Sequence, residues 1–213
     1  MKIIDLTHTI SNICPVYPGT EAPSLSVAST YEGSGFKETL LHFYSHTGTH
    51  MDAPNHIYSN GISLDKKEVS GFVGKACIID VRDVPPGGLI DISYIEKNKE
   101  RVERAEFIIF RTGWERYWGQ DAYFGEYPVI SKEVAVYLVG NNKKGMGLDN
   151  IGLDPISDSE LTLHHLLLKN ENMVIIENLC NLEFIGERDF LFVALPLKFE
   201  DSDGAPVRAI AIL

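Results

Sequence analysis

The chain is organised around the stretch HTGTHMDAPNH, residues 46–56, which holds three of its seven histidines and one aspartate. His46, His50, Asp52 and His56 all occupy even positions, and alternate side chains of an extended segment project to the same face. A glycine, two threonines and a proline in the same stretch disfavour a helix. The spacing therefore predicts an extended segment that presents four polar side chains on one side.

These residue types indicate a metal site. Imidazole and carboxylate groups are the ligands of zinc and similar divalent ions, and catalytic sites combine three protein ligands with an open position. The small residues between them allow the backbone to close around an ion. The alternative is a polar loop whose histidines cap neighbouring backbone groups. An aspartate and a third histidine on the same parity favour the metal site.

The composition is that of an ordinary globular protein, with 44% hydrophobic and 23% charged residues among 213. A net charge of −11 disfavours nucleic acid and anionic membranes as partners, because both bind basic surfaces. No apolar run reaches membrane-spanning length and the first residues lack the plan of a signal peptide, so we expect a cytoplasmic protein. Three widely spaced cysteines do not indicate a disulfide framework.

Short apolar runs predict strands along the whole chain, at residues 2–6, 24–31, 38–44, 76–81, 107–111, 145–149, 173–177, 190–199 and 207–213. Capping residues and apolar spacing predict helices from Asp91 or Ser93 to about Arg104, from Ser131 to about Asn142, and over residues 159–170. The first half is thus strand and loop, and the second half alternates strand and helix. The pattern favours one mixed α/β domain over residues 1–213.

A second group of candidate ligands follows in the predicted helix and the strand after it. His164 and His165 lie three and four residues after Leu161, so helical geometry alone does not choose between them. Glu177 ends an apolar strand, where a carboxylate is costly unless it is paired or bound to a metal. The alternative is that one histidine is a core residue and the other is exposed. Joined to the first stretch, this group suits two ions bridged by Asp52 and Glu177.

The stretch HTGTHMDAPNH also matches the HxGTHxDxPxH signature of the cyclase-like metal-dependent hydrolases, which include bacterial kynurenine formamidase (arylformamidase) and isatin hydrolase. The chain resembles this family over almost its whole length. The resemblance implies a catalytic role for His56 and metal ligands at His46, His50, Asp52, His165 and Glu177. The histidine-to-glutamate spacing in the family selects His165 over His164.

The same resemblance implies a β/β/α fold of the swivelling type with a mixed, partly parallel central sheet. Five candidate ligands predict two divalent ions per chain. We expect zinc ahead of manganese and magnesium, although histidine and carboxylate ligands suit all three ions. Family members are typically homodimers with the metal sites near the subunit interface. We therefore expect a homodimer or higher homo-oligomer that acts on a small molecule.

The predicted function is hydrolysis of a small amide by a metal-activated water, with a formamide such as N-formylkynurenine or a cyclic amide such as isatin as substrate. His56 would take the proton of the water and return it to the leaving nitrogen. Tyr17 and Trp114 are candidates for binding an aromatic substrate, or else packing residues. The alternatives are a metal-assisted cyclase, dehydratase or lactone hydrolase on the same site, and a metal-binding protein without turnover.

Overall fold

Seven strands form a closed, barrel-like sheet of mixed direction in the computed structural model, which describes residues 1–213. An eighth strand, Ile3–Asp5, pairs antiparallel with the end of the last barrel strand, Gly204–Ile212. The strands of the structure are β1 (Ile3–Asp5), β2 (Ser24–Ser29), β3 (Glu38–His42), β4 (His50–Asp52), β5 (Val73–Asp80), β6 (Leu89–Ile90), β7 (Phe107–Arg111), β8 (Val129–Ile130), β9 (Gly145–Leu148), β10 (Val174–Glu177), β11 (Phe190–Pro196) and β12 (Gly204–Ile212).

Parallel pairing links β5, β7, β9 and β10, and the remaining barrel strands pair antiparallel. Strand β12 closes the barrel because it pairs with β11 along most of its length and with β4 at its beginning. The mixed, partly parallel sheet predicted from the sequence is confirmed. The short β4 lies between β10 and β12, which places residues from three distant parts of the chain side by side.

The parallel barrel strands β7, β9 and β10 and the centre of β5 are buried on both faces, which explains their nearly continuous apolar sequences, whereas β11 and β12 alternate between buried and more exposed residues. In β5, Cys77 and Ile79 pack outward under the helices, whereas Ala76 and Ile78 point into the barrel. Strand β7 alternates in the same way. Two apolar cores result, one inside the barrel and one between the sheet and the helices.

Five α-helices connect the strands: α1 (Tyr31–Ser34), α2 (Ile92–Lys97), α3 (Lys99–Arg104), α4 (Lys132–Gly140) and α5 (Thr162–Leu168). Asp91 and Ser131 cap α2 and α4 through their side chains, as the sequence predicts. The single helix predicted up to Arg104 is divided at Asn98, whose backbone leaves the helical region and whose side chain donates to the carbonyl of Tyr94. None of the helices has the length and hydrophobicity needed to span a bilayer.

Candidate metal centre

Only the middle of the stretch 46–56 is a strand. Gly48 adopts a left-handed backbone conformation (φ +65°) before β4, and residues 54–56 form a turn of 3₁₀ helix after it. The prediction of a fully extended segment is therefore wrong at both ends. The turn and the 3₁₀ helix fold the flanking histidines back over the strand, so the four polar side chains still meet on one side.

The carboxylate of Asp52 lies at the centre of this group. Its Oδ1 is 2.7 Å from Nδ1 of His46 and 3.4 Å from Nε2 of His50. Glu177 is directly opposite His50 in the β10–β4 pairing, and its Oε2 is 3.4 Å from the same Nε2. The register of β4 and β10 thus places residues 46–56 next to Glu177, the carboxylate predicted in the second group of candidate ligands.

The second group of candidate ligands contributes His164 to the site. Its Nε2 is 3.5 Å from Oδ2 of Asp52 and 3.4 Å from Oε1 of Glu177. His165 is exposed on the other side of α5, where its ring contacts the hydroxyl of Tyr58. The resemblance implies His165 as the metal ligand, whereas the structure places His164 beside the two carboxylates.

The physical reason lies at the start of α5. Leu161 has a left-handed backbone conformation (φ +49°), so the helix begins later than predicted. The buried carboxylate of Asp154 accepts the backbone N–H groups of Leu163 and His164, at 2.7 and 3.1 Å. It also lies 2.6 Å from Nδ1 of His164. This carboxylate fixes the first turn of the helix and turns the ring of His164 towards the carboxylates.

One arrangement is common to His46, His50 and His164. In each, one ring nitrogen faces the carboxylate of Asp52, and the other bonds to an acceptor elsewhere. Nε2 of His46 lies 3.0 Å from Oδ2 of Asp203, and Nδ1 of His164 bonds to Asp154. Nδ1 of His50 lies 2.9 Å from a backbone carbonyl two residues earlier. Metal-bound histidines are typically held in this way, because the outer acceptor fixes the tautomer and the orientation of the ring.

Five side chains form what we call the inner centre: His46, His50, Asp52, His164 and Glu177. Asp52, Glu177 and His50 are buried, and Oδ2 of Asp52 has no hydrogen-bond partner. Although burial lowers the pKa of His50, the two carboxylates outweigh this effect and raise it to about 10. A buried, unpartnered carboxylate oxygen between neighbouring histidines and a second carboxylate calls for a positive charge. The donor set fits divalent metal ions, and Asp52 belongs to two ligand groups, one on each of its oxygens.

A cavity of about 290 Å³ opens onto the inner centre. His56 and Tyr17 line it, as predicted for a catalytic and a substrate-binding residue, together with the apolar side chains of Ile151 and Leu161. Trp114 does not line it. Its indole is buried in the core between sheet and helices and donates to a backbone carbonyl, as expected for the alternative that Trp114 is a packing residue.

Three residues that the sequence interpretation did not select support the inner centre: Asp154, Asp203 and Asn178. Asn178 directly follows β10, and its side chain donates to the carbonyl of Gly48 in the turn before β4. Asp154 and Asp203 each bond to one histidine of the inner centre. No local sequence pattern indicates which side chains Asp154 and Asp203 contact.

Gly204 has a role that only the structure reveals. A Cβ atom at this position would overlap the imidazole of His46. We expect Gly204→Ala to displace this ring, to weaken metal binding about 10-fold, and to cost about 1–3 kcal/mol of stability through overpacking. Metal titration and thermal unfolding measure both effects. Gly140→Ala, where a Cβ meets nothing within 4 Å, is the control; equal metal affinity in both variants would contradict the expectation.

Adjacent histidines provide a matched test of the corrected assignment. His164→Ala should weaken binding of the metal held with Asp52 and Glu177 and lower kcat/KM about 10²-fold, because an inward ligand is lost. His165→Ala should leave both quantities close to the wild-type values, since that ring is exposed. Metal content and turnover of the two variants decide the question. The reverse order of effects would restore His165 as the ligand.

The chain is similar to a known protein family and to individual proteins of known name. The cyclase family model, described as "Putative cyclase", matches residues 4–155. A kynurenine formamidase from Bacillus thuringiensis (strain Al Hakam) is 33% identical over 209 residues, which cover 97% of this chain and 95% of that protein.

Two solved structures have the same fold. Isatin hydrolase A from Ralstonia solanacearum has a TM-score of 0.87 at 26% identity, covering 99% of this chain and 91% of that one. A protein described as a predicted metal-dependent hydrolase from Bacillus stearothermophilus has a TM-score of 0.80 at 26% identity, covering 99% and 97%. The similarity in sequence and in fold thus extends over nearly the whole chain.

Proposed function

Since the chain belongs to the cyclase family, we propose that it is a metal-dependent hydrolase that cleaves the C–N bond of a small amide. The substrate is a formamide such as N-formylkynurenine or a cyclic amide such as isatin, in line with the activities named for its relatives. The observation that carries the proposal is the inner centre itself. It combines two buried carboxylates with three oriented imidazoles at the base of an open cavity.

The proposed ligands form two groups that share Asp52. His46 and His50 complete the first group, and His164 and Glu177 complete the second. We propose one ion in each group, with zinc ahead of manganese and magnesium because imidazole nitrogens supply much of the donor set. When bound, divalent ions supply Lewis-acid chemistry, since they acidify a water molecule and polarise the carbonyl under attack.

His56 is the proposed catalytic base. Its ring lines the cavity, with its centroid 4.1 Å from that of His46 and 5.9 Å from that of His164. Burial holds the pKa of His56 below its usual value, so the ring is neutral at pH 7 and able to accept a proton. The water oxygen bonds to the carbonyl carbon while its proton passes to His56. The C–N bond then breaks as His56 returns the proton to the leaving nitrogen.

The cavity favours a small, flat substrate with an aromatic ring. Its volume of about 290 Å³ is at the lower end of the range for ligand sites. Tyr17, Ile151 and Leu161 contribute apolar surface to the lining, and the buried carboxylates of the inner centre contribute polar groups. An aryl group would lie against these walls and direct its amide towards the inner centre.

We also propose that residues 1–213 act as one domain and that two copies form a homodimer. Support for one domain comes from the β1–β12 pairing, which joins the first and last strands in the same sheet. Support for a dimer comes from the β2–β3 hairpin, which exposes Val27, Leu40 and Leu41 at 65%, 62% and 55%. A two-stranded hairpin is marginally stable alone, so contact with a second copy would stabilise it.

Metal content and turnover, measured on the same preparation, test the proposed function. We expect divalent metal bound in stoichiometric amounts, with hydrolysis of N-formylkynurenine or isatin that stops on addition of a chelator and returns with zinc or manganese. Formate release identifies the formamide and ring opening identifies the cyclic amide. Absence of stoichiometric metal after reloading with either ion would refute the proposal.

A further inference from the structure

We propose that His46, His56 and Asp203 form a separate divalent-cation site, the outer site, next to the cavity that His46 and His56 line, and that its occupation inhibits the enzyme. Oδ2 of Asp203 lies 3.0 Å from Nε2 of His46 and 3.9 Å from Nδ1 of His56. The three candidate ligand atoms all lie within 4.8 Å of one another. They converge on the side of the His46 ring that faces away from Asp52.

The chemistry and the exposure of these groups suit an exchangeable ion. Two imidazoles and one carboxylate are the ligand set of zinc sites that keep open positions for water. The side chains of His46, His56 and Asp203 are 24%, 28% and 41% exposed, so a hydrated ion reaches them directly from solvent. The carboxylates of the inner centre, by contrast, are buried.

The outer site should bind more weakly than the inner centre. Its ligands are partly solvated, so water competes for the ion and screens the negative charge of Asp203. His46 would serve both places through its two ring nitrogens, so its ring must release its N–H proton to solvent before a second ion binds. An ion in the inner centre also repels a second one across this ring. Imidazole ligands favour zinc over magnesium, so magnesium should not fill the outer site.

Inhibition follows from the place of His56, and this part of the inference rests on the proposed function. An ion held by Nδ1 of His56 and by Asp203 occupies one ring nitrogen and leaves the proton on the other. The ring is then unable to take a proton from water. Activity should therefore rise with zinc while the inner centre fills and fall again at higher zinc.

Equilibrium dialysis with zinc tests the site without reference to activity. In the wild type we expect tightly bound inner ions and one weaker ion per chain. Asp203→Asn keeps an acceptor for His46 but loses the charge, and should raise the dissociation constant of the weaker ion at least about 10-fold. Asp201→Asn is the matched control, because Asp201 lies on the same loop and its exposed carboxylate pairs with Lys66. The Asp201→Asn variant should bind the weaker ion as the wild type does.

Turnover across the same zinc series tests the consequence. The inhibitory phase should be unchanged in Asp201→Asn and absent with magnesium, and Asp203→Asn should move it to zinc concentrations at least about 10-fold higher. A wild type that binds no ion beyond the inner centre overturns the outer site, as does an equal weak ion in wild type and Asp203→Asn. A weak ion that depends on Asp203 but does not inhibit supports the outer site and overturns the proposed catalytic role of His56.

Discussion

Replacement of Asp52 by asparagine should abolish tight metal binding and lower kcat/KM at least about 10³-fold, because the Lewis-acid contribution of the ions is worth several kcal/mol. Asp52 is the side chain shared by both ligand groups. Its Oδ1 faces His46 and His50, and its Oδ2 faces His164. An amide of the same shape presents one neutral oxygen, so one group loses its oxygen ligand and the other loses the negative charge of that ligand. Metal analysis and steady-state kinetics measure the two effects.

Thermal unfolding separates loss of metal from loss of fold. A ligand that binds only the native state stabilises it, so zinc should raise the Tm of the wild type much more than that of Asp52→Asn, which keeps only the weaker outer site. Asp83→Asn, which alters an exposed carboxylate, should respond to zinc as the wild type does. An Asp52→Asn variant with normal metal content and turnover would show that the inner centre is not the reactive site.

Elements with strong local signals could be predicted from the sequence. The apolar run at β5 and the capping residues Asp91 and Ser131 all have their expected roles. The division between α2 and α3 could not, because it depends on one side chain, Asn98, that bonds to the backbone within a sequence of helix-forming residues. Barrel closure is also beyond local patterns, since it pairs β12 with a strand more than 140 residues earlier in the chain.

In the site, too, local sequence patterns predict some features, whereas contacts between residues distant in sequence determine others. Even spacing in residues 46–56 correctly groups His46, His50, Asp52 and His56, although much of that stretch is not extended. The choice between two adjacent histidines depends instead on Asp154, which lies outside the helix and orients His164. Helical periodicity describes only positions within the helix, so it does not predict a contact with a residue outside it.

Local patterns do not select Asp203 for the site, and they suggest Trp114 as a binding residue although its ring lies in the core. Asp203 lies 157 residues from His46 in sequence and reaches it only because β12 pairs with β4. No local pattern could have selected it. Trp114 stands directly after a strand end, a common location for binding groups, but its ring turns into the core, where it packs near Tyr127. Strand ends predict where binding groups lie, and they do not predict which way a side chain points.

Replacement of His56 by alanine should retain the metal of the inner centre and lower kcat about 10²- to 10⁴-fold, the usual contribution of a general base. His56 lines the cavity beside the inner centre but is not one of its five ligands. Removal of its ring should therefore affect proton transfer more than metal binding. Metal analysis, kcat and KM of the variant separate these effects, and His42→Ala, at an exposed histidine of β3, is the control.

The pH profile gives this prediction a second readout. Burial lowers the pKa of His56, and cations bound nearby lower it further, since both disfavour the charged ring. Only the neutral ring accepts a proton, so wild-type kcat/KM should stay high above this lowered pKa and fall as the pH drops through it. His56→Ala should lose this acidic limb and keep a uniformly low rate. A variant that holds its metal and retains the wild-type rate and acidic limb would show that another group takes the proton.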